Sequence, residues 1–166
     1  MSTIPVPDLT KSIVELLIEA YEGPPDAKSP TWFNDNDPNA GIFGQINPLS
    51  AIEASTSADG SGNPGTTVAS HVEHLRWSLA NVNKTLKGDP YQSNWAESWK
   101  ITKINVEEWD LLRGNLRSEV ETVCAAIQKQ EQLQGPFLNG LLSLVPHAAY
   151  HLATIRQIIE RVKEKQ

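Results

Sequence analysis

Four stretches of this chain repeat apolar residues at three-to-four spacing, and a chain built that way has few options besides packed helices. The longest unbroken stripe covers roughly 66–87. There Val68, Val72, Leu75, Leu79, Val82 and Leu86 share one face before Gly88 and Pro90 stop the helix. A second helix is expected over roughly 8–22, with Ile13, Leu16, Leu17, Ala20 and Tyr21 on its stripe and Asp8 as N-cap. A third runs over roughly 106–131, carrying Trp109, Leu112, Leu116, Val120, Val123 and Ile127. Asn105 and Glu108 fit its N-cap and third helical position. The fourth covers roughly 137–164, and Pro146 predicts either a kink or a new helix start. No strand-like alternation, internal repeat or heptad run competes with this pattern. It predicts an all-α chain folded as a four-helix bundle, one domain over 1–166.

The links are uneven. The 23–65 connection is rich in Gly, Pro, Asn and Ser, and such length in a small domain signals either function or disorder. Its Trp32, Phe33, Ile42, Phe43 and Ile46 predict that much of it packs. "NPLSAIEAS" predicts a short helix with Asn47 as cap and Pro48 at its first position, whereas 55–65 reads as mobile. The 88–104 link holds Trp95 and Trp99 and is expected to pack as well.

Charge and composition narrow the function. The net charge is −6 with no basic face, which argues against nucleic acid as a partner. No apolar run approaches the roughly 20 residues a membrane helix needs. The start "MSTIPVPDLTK" lacks the pattern of a secretory leader, and Cys124 is the one cysteine. Together these predict a reducing, cytoplasmic setting.

All four histidines fall in two of the helical segments. His147 and His151 lie four apart on the inward stripe Leu144, His147, His151, Ile155, Ile158, Val162. Two imidazoles one turn apart can share a divalent ion, as in an H-E-x-x-H helix. A third ligand must come from elsewhere, and "TTVASHVEHLRWSL" offers His71 and His74. At 100° per residue His71 sits about 60° from its stripe's centre and His74 about 120°, so the wheel alone favours His71.

"TTVASHVEHL" together with "VPHAAYHLATIRQ" resembles the DinB superfamily, the DinB/YfiT-like metalloenzymes. That family's pattern opens its second helix with Ser or Thr, places a His followed by Leu or Ile seven residues on, and ends with His-x-x-x-His in the last helix. Here Thr67 precedes His74 by seven, Leu75 follows, and His147 and His151 match the last element. The resemblance implies an up-down-down-up bundle with His74, His147 and His151 as ligands of one divalent metal, usually nickel or zinc. His71 then supports the ligands from beside the core. It also implies a small-molecule substrate and, in the better-understood relatives, a low-molecular-weight thiol co-substrate such as bacillithiol or mycothiol. Homodimers occur among relatives, and an exposed Trp77 would fit an interface. The long 23–65 connection and the tryptophan-rich 77–109 region depart from the family, so no substrate carries over.

Three neutral imidazoles leave an ion an open position, the mark of catalytic sites. A thiol-dependent S-transferase or isomerase is the leading expectation, and a hydrolase using metal-activated water competes with it. A non-catalytic binding or stress-related bundle is the alternative of a different class. Of the neighbours, Glu73 points about 100° from His74 and reads as solvated. Tyr150 reads as a rim residue able to donate to a substrate, and Arg156 as a surface or inter-helix ion pair, with a substrate carboxylate as the alternative partner. Ser78 and Asn81 share the flank of His74 and are candidate pocket residues. Trp109 and Cys124 read as core, Trp32, Trp95 and Trp99 as clamps for the links, and no catalytic acid, base or nucleophile is assigned.

Overall fold

The chain's structure is a computed structural model that describes residues 4–164. Residues 1–3 and 165–166, and with them part of the leader reading and the ends of the 1–166 domain, lie outside the described residues. Every element among the described residues is helical. The order is α1 (Val6–Tyr21), α2 (Ile42–Ile46), α3 (Ala51–Ser55), α4 (Val68–Leu86), a 3₁₀ turn at Trp95–Trp99, α5 (Val106–Gln128) and α6 (Gly135–Lys163).

The four expected helices are the four long ones, with ends set by local chemistry. Asn105 and Glu108 form the expected reciprocal capping box of α5, and Thr67 Oγ1 accepts from Ser70 N at the start of α4. α1 begins earlier than Asp8. Pro5 is its N-cap, and Asp8 lies in the first turn, where a carboxylate favours the helix dipole. α6 runs unbroken through Pro146, so no new helix starts there. The proline removes the bond to the Leu142 carbonyl, and Leu142 is exposed enough for water to meet it.

α4 packs on α5 and α6, and α1 packs on the same two helices. Between them lies a dry core that includes Leu17, Leu75, Trp109, Leu116, Ile127 and Ile155. Trp109 is also tied by its indole N–H to the Leu49 carbonyl at 2.9 Å. Cys124 is half-buried against this core, and burial pushes its thiol up to about 11, which makes it inert as a nucleophile at neutral pH.

The long connection forms two short helices where one was expected. Ile42, Phe43 and Ile46 bury one face of α2, so Asn47 ends a helix instead of starting one. Ser50 and Glu53 then make the capping box that begins α3. Ahead of them the chain passes over α1 so closely that a Cβ at Gly41 would come within 2.3 Å of Gly23 N. Trp32 does not clamp this segment, being 80% exposed. Glu19 clamps it instead. Its buried carboxylate accepts from the backbone N–H groups of Trp32, Phe33 and Asn34 at 2.9–3.0 Å. Arg156 holds the same stretch from α6 through Asn34 Oδ1, the Ala40 carbonyl and Asp35, an inter-element pairing as expected.

Removing the Glu19 carboxylate strands several donors at once. Glu19→Ala is expected to destabilise the fold by about 2–3 kcal/mol, and Glu19→Gln, which keeps one acceptor, by less. Urea unfolding checks this through the midpoint at unchanged slope.

Candidate metal centre

His74 projects from α4, and His147 and His151 from α6. Ligand-capable nitrogens of the three lie within 4.8 Å of one another, close enough to bind one metal ion. His147 Nε2 is 3.0 Å from His74 Nε2 and 3.1 Å from His151 Nε2. Bonds of about 2.0–2.1 Å to a common ion put nitrogens roughly 2.9–3.4 Å apart for coordination angles between octahedral and tetrahedral.

The opposite nitrogens of His74 and His151 explain why these two turn Nε2 inward. Ser98 Oγ donates its proton to the Trp95 carbonyl at 2.7 Å. It therefore accepts from His74 Nδ1–H at 2.7 Å, which leaves the lone pair of His74 on Nε2. A longer relay fixes His151. The Gly65 carbonyl can only accept, so His71 donates from Nε2 at 2.9 Å. Neutral His71 then accepts at Nδ1 from His151 Nδ1–H at 2.7 Å, and the lone pair of His151 also falls on Nε2. A single proton on His147 Nε2 can satisfy only one of these two neighbours. The arrangement thus leaves inward lone pairs in need of a positive centre, and the donor set fits a divalent ion.

Burial keeps the cluster neutral. His71, His74 and His151 are 2–6% exposed, and His147 is half-buried. Burial, then the neighbouring His147 and His71, lowers His74 to about 4. The same causes push His151 down further, and burial alone lowers His147. Burial also lowers His71, against the opposing pull of its bond to Gly65. Neutral imidazole is the form a metal binds.

The sequence wheel misplaced His74 because it assumed one buried face. α4 is covered on several sides, by α5, α6, α3 and the Trp95–Trp99 turn. The turn is what buries the His74 side. Trp99 stacks on His74 at 4.1 Å and meets His71 edge-on at 5.3 Å, while Trp95 leans on His74 at 5.5 Å. The two tryptophans therefore clamp the link and wall the site together. Trp77, opposite its helix's stripe, is half-buried against Trp95 of the link at 5.4 Å.

The other candidates separate. His71 supports His151 as described and is not needed as a ligand. Tyr150 lies at the mouth of a cleft of about 810 Å³ that opens onto all four histidines, with its ring 5.1 Å from His151. Ser78 lines a different, apolar cleft beyond His147. Asn81 is corrected from pocket to anchor. Its amide exchanges two hydrogen bonds with the Gln92 backbone, at 2.7 and 2.9 Å, and fastens the link to α4. Glu73 is buried, not solvated, and pairs with Arg76 at 2.7 Å away from the histidines.

The sequence reading missed Ser98 and Gly65. The signal for Ser98 was a serine between two tryptophans four apart in "WAESW". Gly65 lay in a stretch read as mobile, yet it takes φ +83 and offers its carbonyl to His71. Comparisons with protein-family models, curated proteins and solved structures find no match to this chain.

Two outcomes follow. Ser98→Ala frees the tautomer of His74 and is expected to weaken metal affinity about 10- to 100-fold while the fold persists, as titration with a competing chelator would measure. In metal-free protein the unfolded histidines take up protons near pH 6.5, whereas folded His74 resists until about 4. The unfolded state binds more protons in that window, so the melting temperature should fall as pH drops from 6.5 towards 4, with chelator present throughout.

Proposed function

We propose that this chain is a metal-dependent enzyme of the DinB/YfiT-like kind, with a divalent ion held by His74, His147 and His151. The matching fold reading makes α1, α4, α5 and α6 an up-down-down-up bundle, supported by the packing of α4 and α1 on the same two helices. The observation that carries the function is the convergence of three Nε2 atoms, with the opposite nitrogens of His74 and His151 engaged elsewhere. Nickel or zinc, the family's usual metals, would supply a Lewis-acid centre that makes a water or thiol acidic.

The chain's own residues supply the rest. Ser98 and His71 orient the imidazoles, Trp99 shields one face of His74, and the cleft admits a small-molecule substrate past Tyr150. No carboxylate, lysine, arginine or cysteine lines that cleft among the described residues. Zinc hydrolases of the H-E-x-x-H type place a glutamate there as general base. Chemistry whose nucleophile is a low-molecular-weight thiol, S-transfer or isomerisation, needs no such base and is the better fit. The open cleft likewise favours catalysis over an ion held only for stability, which is normally closed off by four ligands. This reading places the protein in the reducing cytoplasm with no nucleic-acid or membrane partner. No helix among the described residues is long and apolar enough to cross a membrane.

Elemental analysis of purified protein is expected to find about one divalent ion per chain. His74→Ala and His147→Ala should each lose it with little change in melting temperature. The loaded protein should consume an electrophile such as chlorodinitrobenzene only when a low-molecular-weight thiol is present, and His147→Ala should abolish this. Protein that holds no metal, or that unfolds when the metal leaves, would sink the enzymatic reading.

A further inference from the structure

Beyond His147 lies a second cleft, of about 670 Å³, between the C-terminal half of α4, the start of α6 and the 88–104 link. Its walls include Val82, Leu86, Tyr91, Trp95, Phe137 and Leu144, and it has no charged lining residue. Three observations give it an occupant. Its volume lies in the range of small-ligand pockets. His147 lines both this cleft and the one over the histidine cluster, so the two meet at a candidate metal ligand. Ser78, 3% exposed on the wall, has no side-chain hydrogen-bond partner among the described residues. Unlike Thr85 and Ser143, whose hydroxyls are bonded to their own helices, it leaves its hydroxyl available to a ligand in a largely apolar space. The walls are also incompletely covered. Tyr91, Trp95 and Phe137 keep 36–47% of their surface open, an apolar patch that a ligand would close.

We propose that this cleft holds the uncharged alkyl or aryl body of the substrate while a donor group at the substrate's other end reaches the metal. The substrate class is thus a small amphiphile: a metal-binding head, an apolar body, and one hydrogen-bonding group within reach of Ser78. The head's position rests on the metal-site reading above; the apolar cleft does not. Charged bodies such as nucleotides or polar peptides are excluded, because nothing in the lining compensates a buried charge.

Gly140 makes the proposal testable. It lines the cleft, and a Cβ there would meet nothing within 4 Å, so Gly140→Phe fills the space without disturbing the core or the histidines. Octan-1-ol, which has no metal-binding head, is titrated into metal-free protein and followed by tryptophan fluorescence. Acetohydroxamate and octanohydroxamate are compared on the metal-loaded protein by calorimetry. The expected result is saturable octanol binding that Gly140→Phe removes. Octanohydroxamate should bind at least tenfold tighter than acetohydroxamate, a gain lost in Gly140→Phe while acetohydroxamate affinity and metal content stay the same. Phe137→Ala, at a partly exposed position, should reduce the gain and serves if Gly140→Phe does not fold. Absence of octanol binding, or binding that both variants leave unchanged, overturns the cleft. Octanol binding with no chain-length gain overturns the link between cleft and metal. Protein that takes up no divalent metal when one is offered, yet binds octanol in a Gly140-sensitive way, refutes the metal reading and the head's position while retaining the cleft.

Discussion

The hydrogen bond from His74 to Ser98, and the relay from His151 through His71 to Gly65, decide on which side of each imidazole the lone pair lies. Reverse either tautomer and an N–H would point at the other rings. Held as they are, the rings turn lone pairs towards one another at about 3 Å, an arrangement that is repulsive without a cation or shared proton between them. The surrounding fold does two things for this arrangement. It removes water, which lowers the proton affinity of every member, and it supplies acceptors that only the neutral tautomers can use. Neither would suffice alone, since a buried imidazole with no acceptor behind it is free to face either way.

That demand explains why α4 looks unlike an ordinary amphipathic helix. Twelve of its nineteen residues are buried, and Ser70, His71, Glu73, His74, Ser78, Asn81 and Asn83 are among them. Burying so many polar groups is costly unless each is met. Most are met by groups outside the long helices: Asn81 by the Gln92 backbone, His74 by Ser98, His71 by Gly65 and Ser70 by Gly65 N. The links are therefore the second wall of the helix, and the polar flank of α4 is stable only because they lie on it.

The same fact marks what could be read from sequence. The four long helices were legible because apolar periodicity and caps such as Asn105–Glu108 are local properties. The His147–His151 pair was legible for the same reason, since four-residue spacing on a helix guarantees adjacency. The choice between His71 and His74 was not legible from one helix. The wheel ranked His71 higher by its nearness to the apolar stripe, and His71 is indeed buried, but as a support. What turned the His74 side inward was the Trp95–Trp99 turn, about twenty residues away, and no pattern within α4 encodes it. The two helices inside the long connection show the converse. The reading there took Asn47–Pro48 as the helix start, whereas Ser50 and Glu53 make the capping box. The burial of Ile42, Phe43 and Ile46 settled the matter by ending α2 at that asparagine.

Ligands on long helices and supports on links give the site two kinds of freedom. The positions of His74, His147 and His151 are set by α4 and α6, whose packing involves the whole core, so shifting them means shifting the fold. Ser98 and Trp99 sit on the 3₁₀ turn that packs against α4, and Gly65 on the link that leads into α4. Changes there can alter tautomer strength, shielding and the shape of both clefts while leaving the three nitrogens where they are. Trp95 illustrates this: one side chain touches His74, covers Trp77 and forms a wall of the apolar cleft. A single link residue thus couples the electronic environment of a ligand to the shape of the space beside it. The shape of that space can change through the 88–104 segment while the helices that carry the three histidines stay in place.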